Sequence, residues 1–177
     1  MYENISHEKR YHKTLSFLKQ HIQGGSRILD LGVHNPLSQL MQQQGYKVIN
    51  TNGEDLDEDQ SSLTDSKAEV VTAFEILEHL LSPYQVLKSI QAEKLVVSVP
   101  LRLWFSPAYR SKNDLWDRHY HEFEDWQLDW LLEKTGWKII ASEKWTNPSS
   151  SLGIRTLFRY FTYRYYIVFA QKNKQEN

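Results

Sequence analysis

Cysteine is absent from the 177 residues of this sequence. Its absence excludes disulfide staples, thiolate-held metal and a cysteine nucleophile, and it fits a reducing cytoplasm. Long apolar runs are missing as well, since none approaches the roughly 18 residues of a membrane-crossing helix. The opening MYENISHEKRYHK is polar, without the apolar stretch of a secretory signal. Charge of one sign is lacking too: 21 basic side chains stand against 22 acidic ones, for a net charge of −1. Such a balance gathers no polyanion by its overall field, so nucleic acid is not expected as a partner, and neither is a membrane. No low-complexity or proline-rich linker divides the chain. One domain over residues 1–177 is the reading, cytoplasmic and either monomeric or homodimeric.

What the sequence does hold is a series of short apolar segments alternating with amphipathic ones. Residues 5–22 space Ile5, Leu15, Phe17, Leu18 and Ile22 among charged letters, a helix that Gly24-Gly25 would stop. RILDLG, KVINTN, EVVTAF and KLVVSV are too brief for helices and apolar enough for buried strands. Between them, PLSQLMQQQ begins on a proline suited to a first helical turn and ends at Gly45, while SPYQVLKSIQA (82–92) opens on Ser82 and Pro83. Strands separated by helices of this length predict a parallel sheet covered on both faces. The phrase glycine, aromatic, lysine, apolar pair occurs twice, as GYKVI and GWKII, each a helix-to-strand joint. EDWQLDWLLEKT reads as the last helix, WKIIASEKW as a strand and NPSSSLG as a loop. The tail RYFTYRYYIVFAQK holds a final strand centred on YYIVFA, whose exposed edge could pair two chains. Arg155, Arg159 and Arg164 alternate with Phe and Tyr, which reads as arginines snorkelling from an antiparallel strand pair rather than as an RNA-binding face.

The stretch RILDLGVHNPLSQL, Arg27 to Leu40, starts like the nucleotide-binding corner of an α/β enzyme. It then places Val33, His34, Asn35 and Pro36 where a glycine-rich turn belongs. Followed in order by EVVTAFEILEHLLSPYQVLKSI, KLVVSVPL and HYHEFEDWQLDWLLEKTGWKII, it resembles the class I S-adenosylmethionine-dependent methyltransferases, particularly the small ones with a Leu-Glu-His-Leu phrase. The resemblance spans roughly residues 26–145. It implies an α/β, Rossmann-like fold: a mostly parallel sheet of seven strands with helices on both faces and an antiparallel last strand, here YYIVFA. Residues 1–25 would be an N-terminal helix, 26–100 the cofactor-binding half and 101–177 the substrate-side half. Only 16 residues lie between Asn52 and Glu69, too few for the usual helix plus third strand. The third-strand region is therefore shortened, with EDLDED (54–59) as a loop in its place.

Ligands of an open parallel sheet sit beyond the carboxyl ends of its strands, where strand order reverses. Gly32, Asn52, Phe74, Glu75 and Pro100 fall at or just after four such ends, so they should face one crevice. The resemblance assigns S-adenosylmethionine to it. That molecule has no phosphate and does not need a full glycine-rich turn; it needs one close backbone approach, an acid for its ammonium and a hydrogen-bonding side chain for its ribose. Asp30 and Gly32 match the family's acid and first glycine, with Val33 beside them. Asn52 aligns where the family grips the ribose with a carboxylate, and Asp55 or Asp57 could stand in for that acid. Phe74 and Glu75 would add an aromatic wall and a carboxylate. Glu78 and His79 read as loop-holding, capping residues.

DRHYHEFED carries the most reactive side chains. Methyl transfer to a hydroxyl or amine requires water to be excluded and a proton to be removed, and imidazole titrates near neutrality. His119 and His121 are thus candidate bases, with Tyr120 orienting the acceptor. The pair His119 and His121 with Asp117, Glu122 and Asp125 offers metal ligands, but no distant motif completes a set, so no metal is expected. The reading is methyl transfer from S-adenosylmethionine to oxygen or nitrogen of a small acceptor, docked under an aromatic loop from Leu101 to Glu122. The alternative is a catalytically inactive binding or scaffolding module, with VHNP and Asn52 recording a lost site.

Overall fold

The computed structural model describes residues 2–64, 67–148 and 153–173. Its helices are α1 (Tyr2–His21), α2 (Pro36–Gln43), α3 (Ser61–Thr64), α4 (Pro83–Ser89), α5 (Asp125–Lys134) and α6 (Ile154–Phe161). Its strands are β1 (Arg27–Asp30), β2 (Lys47–Asn50), β3 (Val70–Phe74), β4 (Lys94–Pro100), β5 (Trp137–Thr146) and β6 (Tyr163–Lys172), with a single 3₁₀ turn at Leu77–His79. They form one sheet in the order β2-β1-β3-β4-β6-β5. The first four strands are parallel neighbours, and β6 runs antiparallel to both β4 and β5.

Alternate residues of each strand feed opposite faces of the sheet, so two cores form. On one face Leu29, Val71, Ala73, Leu95, Val97 and Val168 pack with Leu87, Leu128 and Leu132 of α4 and α5. On the other, Ile28, Val70, Val96, Ile167 and Phe169 meet Leu15, Phe17 and Leu18 of α1 and Met41 of α2. This explains why β3 and β4 read as almost wholly apolar runs: both of their faces are covered. Edge strand β5 instead alternates, with Trp137 and Trp145 buried at its ends. Leu18 has no solvent exposure, so truncation to alanine should cost about 2–5 kcal/mol.

Local chemistry sets the joints. Gly45 and Gly136 take φ of +89° and +90°, and each donates its N–H to a helix-end carbonyl, of Gln42 and Glu133 respectively. The two GY/GW phrases are thus one left-handed helix stop used twice. Helix α5 opens on a capping box, with Glu124 N–H donating to Gln127 Oε1 at 2.8 Å.

Four expectations change. Among the described residues the sheet has six strands rather than seven: residues 51–64 supply turns and the short α3, and β2 has β1 as its single neighbour. YYIVFA is no edge, because β6 lies between β4 and β5. Strand β2 ends at Asn50, two residues before Asn52. Arg155 and Arg159 sit on helix α6 rather than on a strand; its eight residues IRTLFRYF have helical, not alternating, periodicity once Gly153 is taken as the start. Among the described residues no helix is long and apolar enough to cross a membrane.

Candidate functional site

Strand order reverses between β1 and β3, and two cavities open beyond their carboxyl ends. The first, of about 490 Å³, is walled by Asp30, Gly32, Phe74, Glu75, Glu78, His79, Ser98 and Pro100, with Arg10, Tyr11 and Thr14 from α1, Arg164 and Tyr165 from β6, and Tyr109, Asp117 and His119 from the loop after β4. The second, of about 520 Å³, is walled by Thr51, Glu54, Asp55, Leu56, Asp57, Ile76, Leu80, Leu81, Leu115, Trp116 and Tyr120. Gly32, Val33, Ile76 and His79 belong to both. The first cavity is the more polar of the two and carries both signs of charge; its neighbour is apolar with carboxylates on one side.

Asp30 is a clamp. It is buried, and its carboxylate accepts from Thr72 Oγ1 at 2.6 Å, Ser38 Oγ at 2.8 Å and Asn50 Nδ2 at 3.0 Å. Those partners come from β3, α2 and β2, brought together by the pairing of Asp30 with both Asn50 and Thr72. Burial pushes its pKa up, and the three donors pull against that. Its oxygens thus already accept from three side chains of the protein, while the residue still lines the first cavity. Gly32 has φ +100°, and a Cβ there would sit 3.4 Å from Ile76 Cδ1. Its N–H donates to Thr51 Oγ1 at 2.8 Å. Glycine is required here by the left-handed backbone, which strains any residue with a side chain, rather than by lack of room.

The missing glycines now have a physical account. Asn35 caps α2, its Oδ1 accepting from Leu37 N–H at 2.9 Å and Ser38 N–H at 3.1 Å. The helix N-terminus that would bind a pyrophosphate satisfies itself instead. Val33 is exposed and packs toward Gly53. Asn52 is exposed, donates its N–H to Glu54 Oε2 at 2.7 Å, and lines neither cavity. Glu54 lines the apolar cavity; burial raises its pKa, but the Ser62 hydroxyl and the N–H groups of Glu54 and Asn52 outweigh this and leave it lowered. Asp55 and Asp57 also line that cavity, and the two oxygens of Asp57 accept from Leu81 and Ser82 N–H at 2.7 and 2.8 Å.

Glu75 is the one non-glycine residue with positive φ, +57°, among the described residues. That kink after β3 turns its carboxylate inward, where it accepts from Ser98 Oγ at 2.9 Å and Arg10 Nη1 at 3.4 Å. Burial raises its pKa, opposed by Arg10 and Ser98. Glu78 is buried more deeply, and its Oε2 has no hydrogen-bond partner. Burial and the nearby Glu75 push its pKa well above the carboxylate range. Its main-chain carbonyl accepts from Tyr120 and His121 N–H, so Glu78 both lines the cavity and ties down the histidine loop.

The three loop residues separate. His119 enters the polar cavity, its ring edge-on to His79 at 4.8 Å and 4.5 Å from the Tyr109 ring. Burial lowers its pKa, helped by His79 and opposed by Glu122. Tyr120 faces the apolar cavity, away from His119. His121 lines neither; its Nε2 lies 3.4 Å from the Leu81 carbonyl. Glu78, His79 and His119, rather than the pair 119 and 121, bring possible metal-ligand atoms within 4.8 Å of one another. Arg10, Thr14, Arg164 and Tyr165 escaped the sequence reading because α1 and β6 were read as packing elements. The polar letters on their inner sides were the available signal.

A family profile described as a methyltransferase domain matches residues 5–142. The chain belongs to that family, and its fold is that of the class I S-adenosylmethionine-dependent methyltransferases. Among solved structures, a SAM-dependent methyltransferase from Archaeoglobus fulgidus aligns at 15% identity over 97% of this chain and 95% of its own, with a TM-score of 0.61. The Burkholderia thailandensis 1,6-didemethyltoxoflavin-N1-methyltransferase, solved with 1,6-didemethyltoxoflavin and S-adenosylhomocysteine, aligns at 16% over 97% and 85%, with a TM-score of 0.60. The [4+2]-cyclase SpnF aligns at 12% over 92% and 80%, with a TM-score of 0.55, so the fold by itself does not define a reaction. No curated protein matches the sequence.

The donor set fits the cofactor of this family. A zwitterion needs both signs, and the polar cavity has Arg10 and Arg164 against Glu75 and Glu78; a nucleoside needs an apolar slot with a hydroxyl acceptor, and the second cavity has Leu56, Ile76, Leu80 and Trp116 with Glu54. The partnerless Glu78 Oε2 is the buried acceptor that an ammonium would satisfy.

Proposed function

We propose that this protein transfers a methyl group from S-adenosylmethionine to a nitrogen or oxygen of a small acceptor held in the polar cavity. The observation that carries the reading is Gly32: a left-handed, side-chain-free residue shared by a cavity of mixed charge and an apolar one lined by the carboxylate of Glu54. When bound, the cofactor supplies an electrophilic methyl on a cationic sulfur. Glu54 and Thr51 hold the ribose, in the role first given to Asn52, and Leu56, Leu80 and Trp116 enclose the base. Glu75 and Glu78 face the ammonium, while Arg10 and Arg164 face the carboxylate. His119 accepts the acceptor's proton. Its lowered pKa keeps it neutral near pH 7, the form a base requires. Tyr109, whose hydroxyl donates to Asp117, closes over His119 and limits water.

Thermal melting with S-adenosylmethionine tests the reading. At a hundredfold excess over the dissociation constant, stabilisation of about 2.7 kcal/mol is expected, followed by radiolabelled methyl transfer to amine or hydroxyl acceptors. No shift with S-adenosylmethionine or S-adenosylhomocysteine would overturn it and leave the inactive-module alternative. The features behind that alternative have other causes: Asn35 caps a helix, and Glu54 stands in for Asn52.

A further inference from the structure

Helix α6 is eight residues long and none of them is buried. A helix this short is unstable in water on propensity alone, so its amphipathic face calls for a covering surface. At 100° per residue Ile154, Leu157, Phe158 and Phe161 share one stripe. Ile154 is 74% exposed, Leu157 57% and Phe161 81%. Phe158 leans on Trp104 and Phe105, with ring centroids 5.0 and 5.4 Å away. Trp104 is itself 67% exposed and donates its indole N–H to Thr162 Oγ1 at 3.2 Å. Stripe and indole therefore make one exposed apolar patch.

What borders the patch decides what covers it. Its polar flank holds Arg155 and Arg159, and between Trp145 and Tyr163 the sequence has these two basic residues and no acidic one, while Lys144 is paired with Asp125 and Arg164 turns inward to the Leu101 carbonyl. The chain as a whole is nearly neutral, so this is a local concentration of positive charge around apolar and aromatic side chains. At about 12 Å the helix cannot span a bilayer, but an apolar stripe edged by arginines, with Trp and Tyr beside it, suits the plane of a lipid headgroup layer. A second copy or a protein partner would also cover the stripe; only an anionic surface also uses the one-signed charge. We propose that the α6 face with Trp104 docks this protein onto an anionic lipid bilayer, which presents the methyl acceptor as an amphiphile. A recess lined by Arg159 and Thr162 shares Tyr109 and Arg164 with the polar cavity, so the acceptor's polar end has a way from the docked face to His119. The acceptor class rests on the methyl-transfer reading; the docking does not. A missing membrane-crossing segment bears on spanning, and this helix lies flat.

Co-sedimentation of the full chain tests it, with vesicles of phosphatidylcholine alone and of phosphatidylcholine mixed equally with phosphatidylglycerol. Binding is expected to the mixed vesicles and to be lost in Leu157→Glu/Phe161→Glu. Arg155→Ala/Arg159→Ala should weaken it about 25-fold, at about fivefold per arginine. Both variants should keep the wild-type melting shift with S-adenosylmethionine, which shows that they fold. Equal binding to both vesicle types, no binding to either, or a wild-type dimer that the glutamate pair dissolves would each overturn the docking. Vesicle binding without any cofactor shift in the wild type would uphold the docking and sink the acceptor class.

Discussion

Replacing Glu78 by glutamine should stabilise the protein at neutral pH and do nothing in acid. The folded-state pKa of Glu78 is raised well above its ordinary 4.5, first by burial and then by Glu75. From about pH 4.5 up to that raised value, the unfolded chain sheds a proton that the folded chain keeps. The folded state then binds more protons, so stability falls as pH rises, by up to about tenfold in the folding constant per pH unit for one proton. Below about pH 4.5 both states are protonated and the penalty vanishes. Glutamine has nearly the same shape and no proton to lose. Urea unfolding of wild type and Glu78→Gln should coincide near pH 4, then diverge in favour of the variant, with unchanged denaturant slopes. Because the two carboxylates repel, Glu75 should titrate lower in the variant. On the proposed reading the gain comes with weaker cofactor binding, since glutamine cannot ionise to meet the ammonium. A variant less stable than wild type at pH 7, by the roughly 3–5 kcal/mol that follows loss of one partner of a buried ion pair, would refute the reasoning. Glu78 would then be ionised and held by Arg10 or Arg164.

Other outcomes follow from the same geometry. Gly32→Ala places a Cβ at φ +100° against Ile76 and should cost about 1–2 kcal/mol in unfolding experiments, with a clear loss of S-adenosylmethionine affinity by calorimetry. Asn35→Ala removes the α2 cap, so a loss of about 1 kcal/mol is expected with cofactor affinity unchanged; a collapse of affinity would mean that the turn binds ligand. His119→Ala should slow turnover by about 10²–10⁴-fold, and His121→Ala should leave it near wild type. Wild-type turnover should rise with pH through a value below the ordinary histidine 6.5, because burial lowers the His119 pKa, and be flat above neutrality. A profile still climbing beyond pH 7.5, about one unit above the free imidazole value, would assign the base elsewhere.

The sheet was legible because its strands need both faces covered, which makes VVTAF and KLVVSV almost wholly apolar, broken within only by Thr72 and Ser98. Gly45 and Gly136 likewise announced their joints, since a left-handed helix stop leaves little choice of residue. The site was only partly legible. Gly32, Phe74, Glu75 and His119 lie where strand ends predict them, for the position follows from topology alone. Asn52 was misplaced because the strand stops at Asn50, whose side chain turns inward to Asp30 in a buried network that no periodicity reveals. Glu78 lines the cavity and His121 does not for a related reason: which side chain of a loop enters a cavity depends on main-chain bonds such as those to the Glu78 carbonyl. Helix α6 stayed hidden because eight residues alternating arginine with aromatics satisfy strand and helix patterns alike.

The strand that this sheet omits leaves the ribose-side wall to residues 51–60, where aspartates grip neighbouring amides: Asp55 holds Asp57, Asp57 holds Leu81 and Ser82, and Asp59 holds Ser61. A wall of this kind can part from the barrier behind it without unzipping a single ladder of the sheet. On the proposed reading a nucleoside enters and leaves on that flank at the loss of a few amide–carboxylate bonds, while the chamber beyond Gly32 keeps its shape.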